Sequence, residues 1–266
     1  MAFVPFGGRL VITSSCARLA PRHDVGVEKS NRHMRFFGFL LLGVWACSSA
    51  ARADMPDHLR FPATGTQLLL WVASERGRAE PELLAAKQLA AQGVEAWSLD
   101  PTSAYFLPQL PSSMDDVPVR DMADWLRAAQ ASGKRVAAVA VARAAVPLLR
   151  AAASLEPVER QRLCVVLLYP NLYMTAEPLA APDYLDLGTL AGLQVRVLQP
   201  RRSAATPWLP GLLDHLALHG ATVSAAVLES LREGYWARET PTEFEVAESR
   251  RMDAMLLREL NAWGCK

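Results

Sequence analysis

The chain alternates short, continuously apolar runs with longer amphipathic ones. Residues 66–73, TQLLLWVA, lie between Gly65 and Ser74 and lack the in-and-out alternation of a half-exposed strand. A run of that length, apolar at both parities, predicts a strand buried on both faces. The same reading places strands at 94–100, 134–141, 162–169, 193–199 and 221–228. Between them, helical patterning predicts 80–92, with Leu83, Leu84, Leu89 and alanines as its stripe, and then 122–131, 143–153, 207–219 and 243–263. Gly93 and Gly133 stop the first two helices. The Pro- and Ser-rich stretch 101–118 reads as a loop, and 172–190 interrupts the series as a small lid segment. Strands alternating with helices predict an α/β fold with a mostly parallel sheet and helices on both faces. The strand C-terminal edge, where ligands of such folds sit, would gather Ser74, Asp100, Ala142, residues 169–173, residues 201–203 and Glu233.

One apolar run belongs to none of this. Residues 36–46, FFGFLLLGVWA, are too short to span a bilayer, follow Arg32, His33 and Arg35, and precede a small-residue cleavage pattern at Ala51-Arg52-Ala53. That combination predicts a secretory leader over 34–53, with translation starting at Met34 and 1–33 an upstream extension. The mature domain would be 54–266, periplasmic or secreted, with no transmembrane span. Val44-Trp45-Ala46-Cys47 is a poor lipobox, because Trp45 is bulky, so export without a lipid anchor on Cys47 is the preferred reading.

Composition narrows the class further. The 266 residues are 51% hydrophobic and 21% charged, which suits one globular domain plus a leader. A formal net charge of +1 provides no field for nucleic acid or an acidic membrane. GxGxxG and Walker A patterns are absent, so no cofactor is expected. The cysteines lack metal-like spacing. Cys164 and Cys265 read as a buried thiol and a free tail thiol, with a disulfide as the alternative in an oxidising compartment. His215 and His219, beside Asp214, have a spacing that can hold zinc, but no third ligand is evident, and they read as solvated helix residues.

Residues 136–145, VAAVAVARAA, run from strand directly into helix. Together with SERG at 74–77, LAAQGVEAWSLD at 89–100, VVLLYPNLY at 165–173, VRVLQPRRS at 195–203 and SLREGYWARE at 230–239, this order resembles the α/β-hydrolase superfamily, distantly including the VirJ component of type IV secretion. The resemblance implies a nucleophile at the strand–helix elbow, an acid after the next-to-last strand and a histidine base after the last. In this chain those positions hold Ala142, the stretch Pro200-Arg201-Arg202-Ser203, and the stretch Leu231-Arg232-Glu233-Gly234-Tyr235. The glycines flanking the nucleophile are Ala140 and Ala144. No residue fills the nucleophile, acid or base role, so the resemblance implies a hydrolase fold without a Ser-His-Asp triad.

The remaining candidate chemistry is binding. Arg143, Arg201 and Arg202 at the strand edge suit an anion, although ion pairs to Glu75, Glu233 or Asp100 account for the same residues. Ser74 and Ser203 are the candidate relocated nucleophiles, each without a histidine to activate it. Tyr173 belongs to an aromatic group with Tyr169, Tyr184, Trp208, Tyr235 and Trp236, read either as packing or as a ligand platform. The expectation is therefore an exported binding or interaction protein of the cell envelope. It would use Ser74, Arg143, Tyr173, Arg202 and Ser203 toward a small molecule or an envelope protein. The alternative is an active serine hydrolase with a relocated nucleophile.

Overall fold

The computed structural model describes residues 58–174, 181–237 and 239–262. The expected upstream extension, leader, Cys47 and Cys265 lie outside the described residues. Seven strands form one sheet: β1 (His58–Phe61), β2 (Gln67–Val72), β3 (Val94–Leu99), β4 (Arg135–Val141), β5 (Leu163–Leu168), β6 (Gln194–Arg202) and β7 (Thr222–Arg232). Their order is β1-β3-β2-β4-β5-β6-β7, with β1 antiparallel to β3 and every other pair parallel. The helices are α1 (Glu80–Ala91), α2 (Pro101–Ala104), α3 (Val119–Gln130), α4 (Ala145–Ser154), α5 (Pro157–Arg160), α6 (Leu209–Leu218), α7 (Glu243–Ser249) and α8 (Met252–Ala262).

The continuous apolar runs have the expected cause. Along β2, Leu68, Leu70 and Val72 enter one core while Leu69 and Trp71 enter the other, and all five are buried. The first core is closed by α3, α4 and α6 through Met122, Trp125, Leu148, Leu212 and Leu216. The second is closed by α1 and α8 through Leu89, Met252, Leu256 and Leu260. Two covered faces leave no polar parity in the central strands.

The elements missed by the pattern have physical reasons. Strand β1 is four residues long and half exposed, too short to show a period, and it is held at the sheet edge by its ladder to β3. The expected loop 101–118 contains α2, capped by Asp100, and a 3-10 helix over Pro111–Asp116. The single helix expected at 243–263 is two. Thr242 and Glu245 cap the start of α7 reciprocally, and α8 turns to pack on α1, where Asp253 accepts a hydrogen bond of 2.7 Å from Gln92. In α1 the buried stripe is Glu82, Ala85, Ala86 and Leu89, while Leu84 is exposed. Of the segment 172–190, the described residues form no helix or strand. They lay Leu172, Leu187 and Leu190 into the core, with His215 of α6 and His219, the residue that caps it, bonded to the carbonyls of Leu185 (3.0 Å) and Gly188 (2.6 Å).

Sheet order also places the crevice. The chain leaves β2 through α1 toward one face and leaves β4 through α4 toward the other. The adjacent C-termini of β2 and β4 are thus a topological switch point, where loops diverge and leave room for a ligand.

Candidate functional site

A cavity of about 850 Å³ opens at that switch point. Its walls are the loop after β2 (residues 74–79), Glu82 of α1, Ala142, Tyr169, the 202–204 turn after β6 and the stretch around Trp236 after β7. A second cavity of about 390 Å³ lies at the opposite, N-terminal edge of the strands, among Gln67, Val94, Lys134 and Arg162.

The elbow is present as backbone geometry. β4 ends at Val141, a 3-10 turn spans Ala142–Ala144, and α4 follows at once. Ala142 has a φ of +50°, a left-handed conformation unfavourable for any residue with a Cβ, and its carbonyl accepts from the Asn171 N–H at 3.1 Å. Ala140 and Ala144 are fully buried, so the close approach of strand and helix accommodates methyl groups. At the cavity wall this elbow presents a methyl group, which can neither attack a carbonyl nor accept a proton.

Ser74, Arg202 and Ser203 are brought together on the cavity wall. The Ser74 hydroxyl oxygen accepts from the Arg76 N–H at 3.3 Å, within a turn closed by Gly77 N–H to Ser74 carbonyl at 2.9 Å. Glycine is favoured at position 77: its φ is +80°, and a Cβ would stand 3.1 Å from Asp100 Oδ2. Ser203 donates to Glu233 Oε2 at 2.7 Å. Arg201 pairs with Glu229 at 2.6 Å in solvent.

Arg143 and Tyr173 meet each other and leave the cavity. The Arg143 guanidinium is buried and pairs with both oxygens of Asp115, at 3.0 and 2.6 Å, while donating also to Asn171 and to the Tyr173 carbonyl. The ion pair considered for Arg143 therefore exists, but its partner is Asp115 on the 111–116 turn, not Glu75, Glu233 or Asp100. Tyr173 packs its ring on Tyr184, centroids 5.5 Å apart, and burial pushes its hydroxyl up to about 12.

The inner wall carries groups that the sequence pattern did not single out. Glu82 is buried, accepting from Trp236 Nε1 at 2.8 Å and from the Ala79 N–H at 3.3 Å. Burial pushes its carboxyl up to about 7 against those two hydrogen bonds, with the charge of Asp100 adding to the rise. Asp100 itself is held below its ordinary range: burial is outweighed by hydrogen bonds from Thr102 and Ser103 and by Arg78. Tyr169 stacks at a tilt on Trp236, with centroids 5.5 Å apart. Burial, then the charges of Glu82, Glu233 and Glu75, hold its phenol neutral far above the usual range. One signal for Glu82 was legible: it stands at the first position of the i, i+3, i+4, i+7 stripe completed by Ala85, Ala86 and Leu89.

No histidine lines the cavity among the described residues. His58 packs on Trp97 in the edge strand, and His215 and His219 face the 185–188 segment, where burial lowers the His215 pKa.

Comparison with solved structures identifies the fold. A Pyrobaculum calidifontis esterase superposes with a TM-score of 0.56 at 11% identity, covering 81% of this chain and 88% of that one. A Klebsiella pneumoniae protein assigned as a dienelactone hydrolase superposes with 0.54 at 18% identity, covering 76% and 88%. A Thermogutta terrifontis esterase gives 0.52 at 13% identity, covering 81% and 94%. The chain has the α/β-hydrolase fold. No protein-family model and no curated protein sequence matches it.

Proposed function

We propose that this protein is an exported, ligand-binding α/β-hydrolase-fold protein of the cell envelope that has lost elbow-based acyl transfer, in the manner of a VirJ-type envelope component. The observation that carries this reading is the side chain at the elbow: the φ of +50° is retained at Ala142, and a methyl group stands where the fold needs a nucleophile. The histidines of the described residues support it, since none lines the cavity and a triad needs its base within hydrogen-bond reach. The 34–53 leader pattern supports export. Ser74, Arg202 and Ser203 then serve as cleft walls for a small molecule or the segment of an envelope partner.

A second reading has one observation in its favour. Ser203 donates to Glu233 at 2.7 Å on the cavity wall, a hydroxyl with an anionic acceptor. That would be the nucleophile of a serine hydrolase with relocated residues. The purified full chain should neither turn over p-nitrophenyl acetate above buffer nor take a fluorophosphonate label. Turnover abolished by Ser203→Ala or Ser74→Ala would replace the binding reading with the hydrolase. Export is checked separately, by fractionation and by sequencing for a mature N-terminus at Asp54.

A further inference from the structure

We propose that the inner end of the cleft binds its ligand through an ammonium group, held by the carboxylate of Glu75 beside the aromatic pair Tyr169–Trp236. The inference deepens the binding reading above and rests on it. It begins from Glu75, which is part of the cavity wall and only 9% exposed, and whose Oε2 is shut off from water yet accepts no hydrogen bond from the described residues. A carboxylate oxygen withdrawn from water without a donor costs free energy that a bound N–H recovers once the side chain turns that oxygen into the cleft.

The charges around it favour a cation. The buried groups on this side of the cavity are Glu75 and Glu82, with Asp100 directly behind Gly77. Arg78 is the half-buried cation among them, and it also donates to the Ser98 carbonyl at 3.1 Å. Arg76 and Arg202 stand exposed at the rim. Arg232 also lines the cavity, half-buried, with its charge paired to Glu245, which is not among the lining residues. The depth of the cleft is thus net acidic and its mouth mixed. Tyr169 and Trp236 line the same part of the cavity, and an ammonium over an aromatic face gains from the ring quadrupole while its N–H groups reach a carboxylate. Trp236 Nε1 is engaged by Glu82, which fixes the indole plane at the cavity wall.

Three probes of one shape decide the matter: benzylammonium, benzyl alcohol and benzoate, titrated by calorimetry into the full chain at pH 8. Benzylammonium should bind about tenfold more tightly than benzyl alcohol, with benzoate weakest. Glu75→Gln, which keeps the side-chain shape, should remove most of that preference, an expected loss of about tenfold for benzylammonium and little for benzyl alcohol. Equal affinity of the three probes, stronger binding of benzoate, no binding of benzylammonium, or an unchanged affinity in Glu75→Gln would each overturn the ammonium site. The comparison among probes on the unaltered chain stands even if the variant does not fold. Ester turnover would overturn the binding reading of the elbow and leave this comparison intact, whereas equal affinities would remove the ammonium site and leave that reading standing.

Discussion

The side chain of Arg143 is buried in the 3-10 turn that joins β4 to α4. Its position at the strand edge marks a guanidinium at the head of a helix, but the fold turns it into a buried clamp. Asp115 takes it in two bonds, and Asn171 and the Tyr173 carbonyl take the rest. The clamp ties the 111–116 turn and the start of the 171–174 segment to the elbow. Arg143→Ala leaves Asp115 and the Tyr173 carbonyl without their donor and should destabilise the protein by about 3 kcal/mol, read as a lower urea midpoint at unchanged slope. Arg143→Lys should recover only part of this, since an ammonium cannot reproduce the two-pronged pairing. Benzylammonium affinity should be unchanged in folded Arg143→Lys, because Arg143 is no part of the cavity wall.

At the scale of an element, the strand–helix elbow holds an alanine in left-handed backbone. A residue with a Cβ in left-handed backbone is disfavoured by roughly 1 kcal/mol or more, and only the packing of β4 and α4, with the Asn171 hydrogen bond, holds Ala142 there. Replacing Ala142 by Gly should therefore raise the unfolding free energy by about 1 kcal/mol, measured by denaturant titration, although glycine in an ordinary helix or strand would lower it. A loss of stability on Ala142→Gly would mean that the methyl group's packing outweighs the backbone cost.

The whole molecule carries two opposed pH dependences. Glu82 has its carboxyl raised to about 7, so the folded chain holds a proton that the unfolded chain releases from about pH 4.5 upward. Stability from this group is complete below that value and falls as pH rises toward 7, by on the order of 3 kcal/mol at most. Glu245 is the reverse case: the Arg232 hydrogen bond, against burial, lowers its carboxyl to about 2. Its contribution is present above about pH 4.5 and is lost as pH falls toward 2. The two together predict a thermal midpoint that is highest near pH 5 and declines on both sides. Glu82→Gln should flatten the limb between pH 5 and 7 and leave the acid limb in place. A midpoint that rises from pH 5 to pH 8 in the unaltered chain would contradict the assignment to Glu82.

The sequence by itself determined the sheet and the side chain that stands at its elbow. Strands covered on both faces must be apolar at both parities, so β2 to β6 were legible from their runs, and the methyl group at Ala142 is a fact of composition. A four-residue edge strand and the break between α7 and α8 were not legible, because β1 is held by its neighbour's ladder and α8 is turned by its packing on α1. The site was legible only by position. Ser74, Arg202 and Ser203 reach the cavity because strand ends fix where they stand, whereas the partner of a long charged side chain depends on loops closing across the fold. Arg143 finds Asp115 at a separation of 28 residues, and Glu82 finds Trp236 at 154. Hydrophobic periodicity encodes which face a residue shows to the core. It does not encode which charges meet when two distant loops close over the same strand edge, and that meeting was decided by the tertiary structure alone.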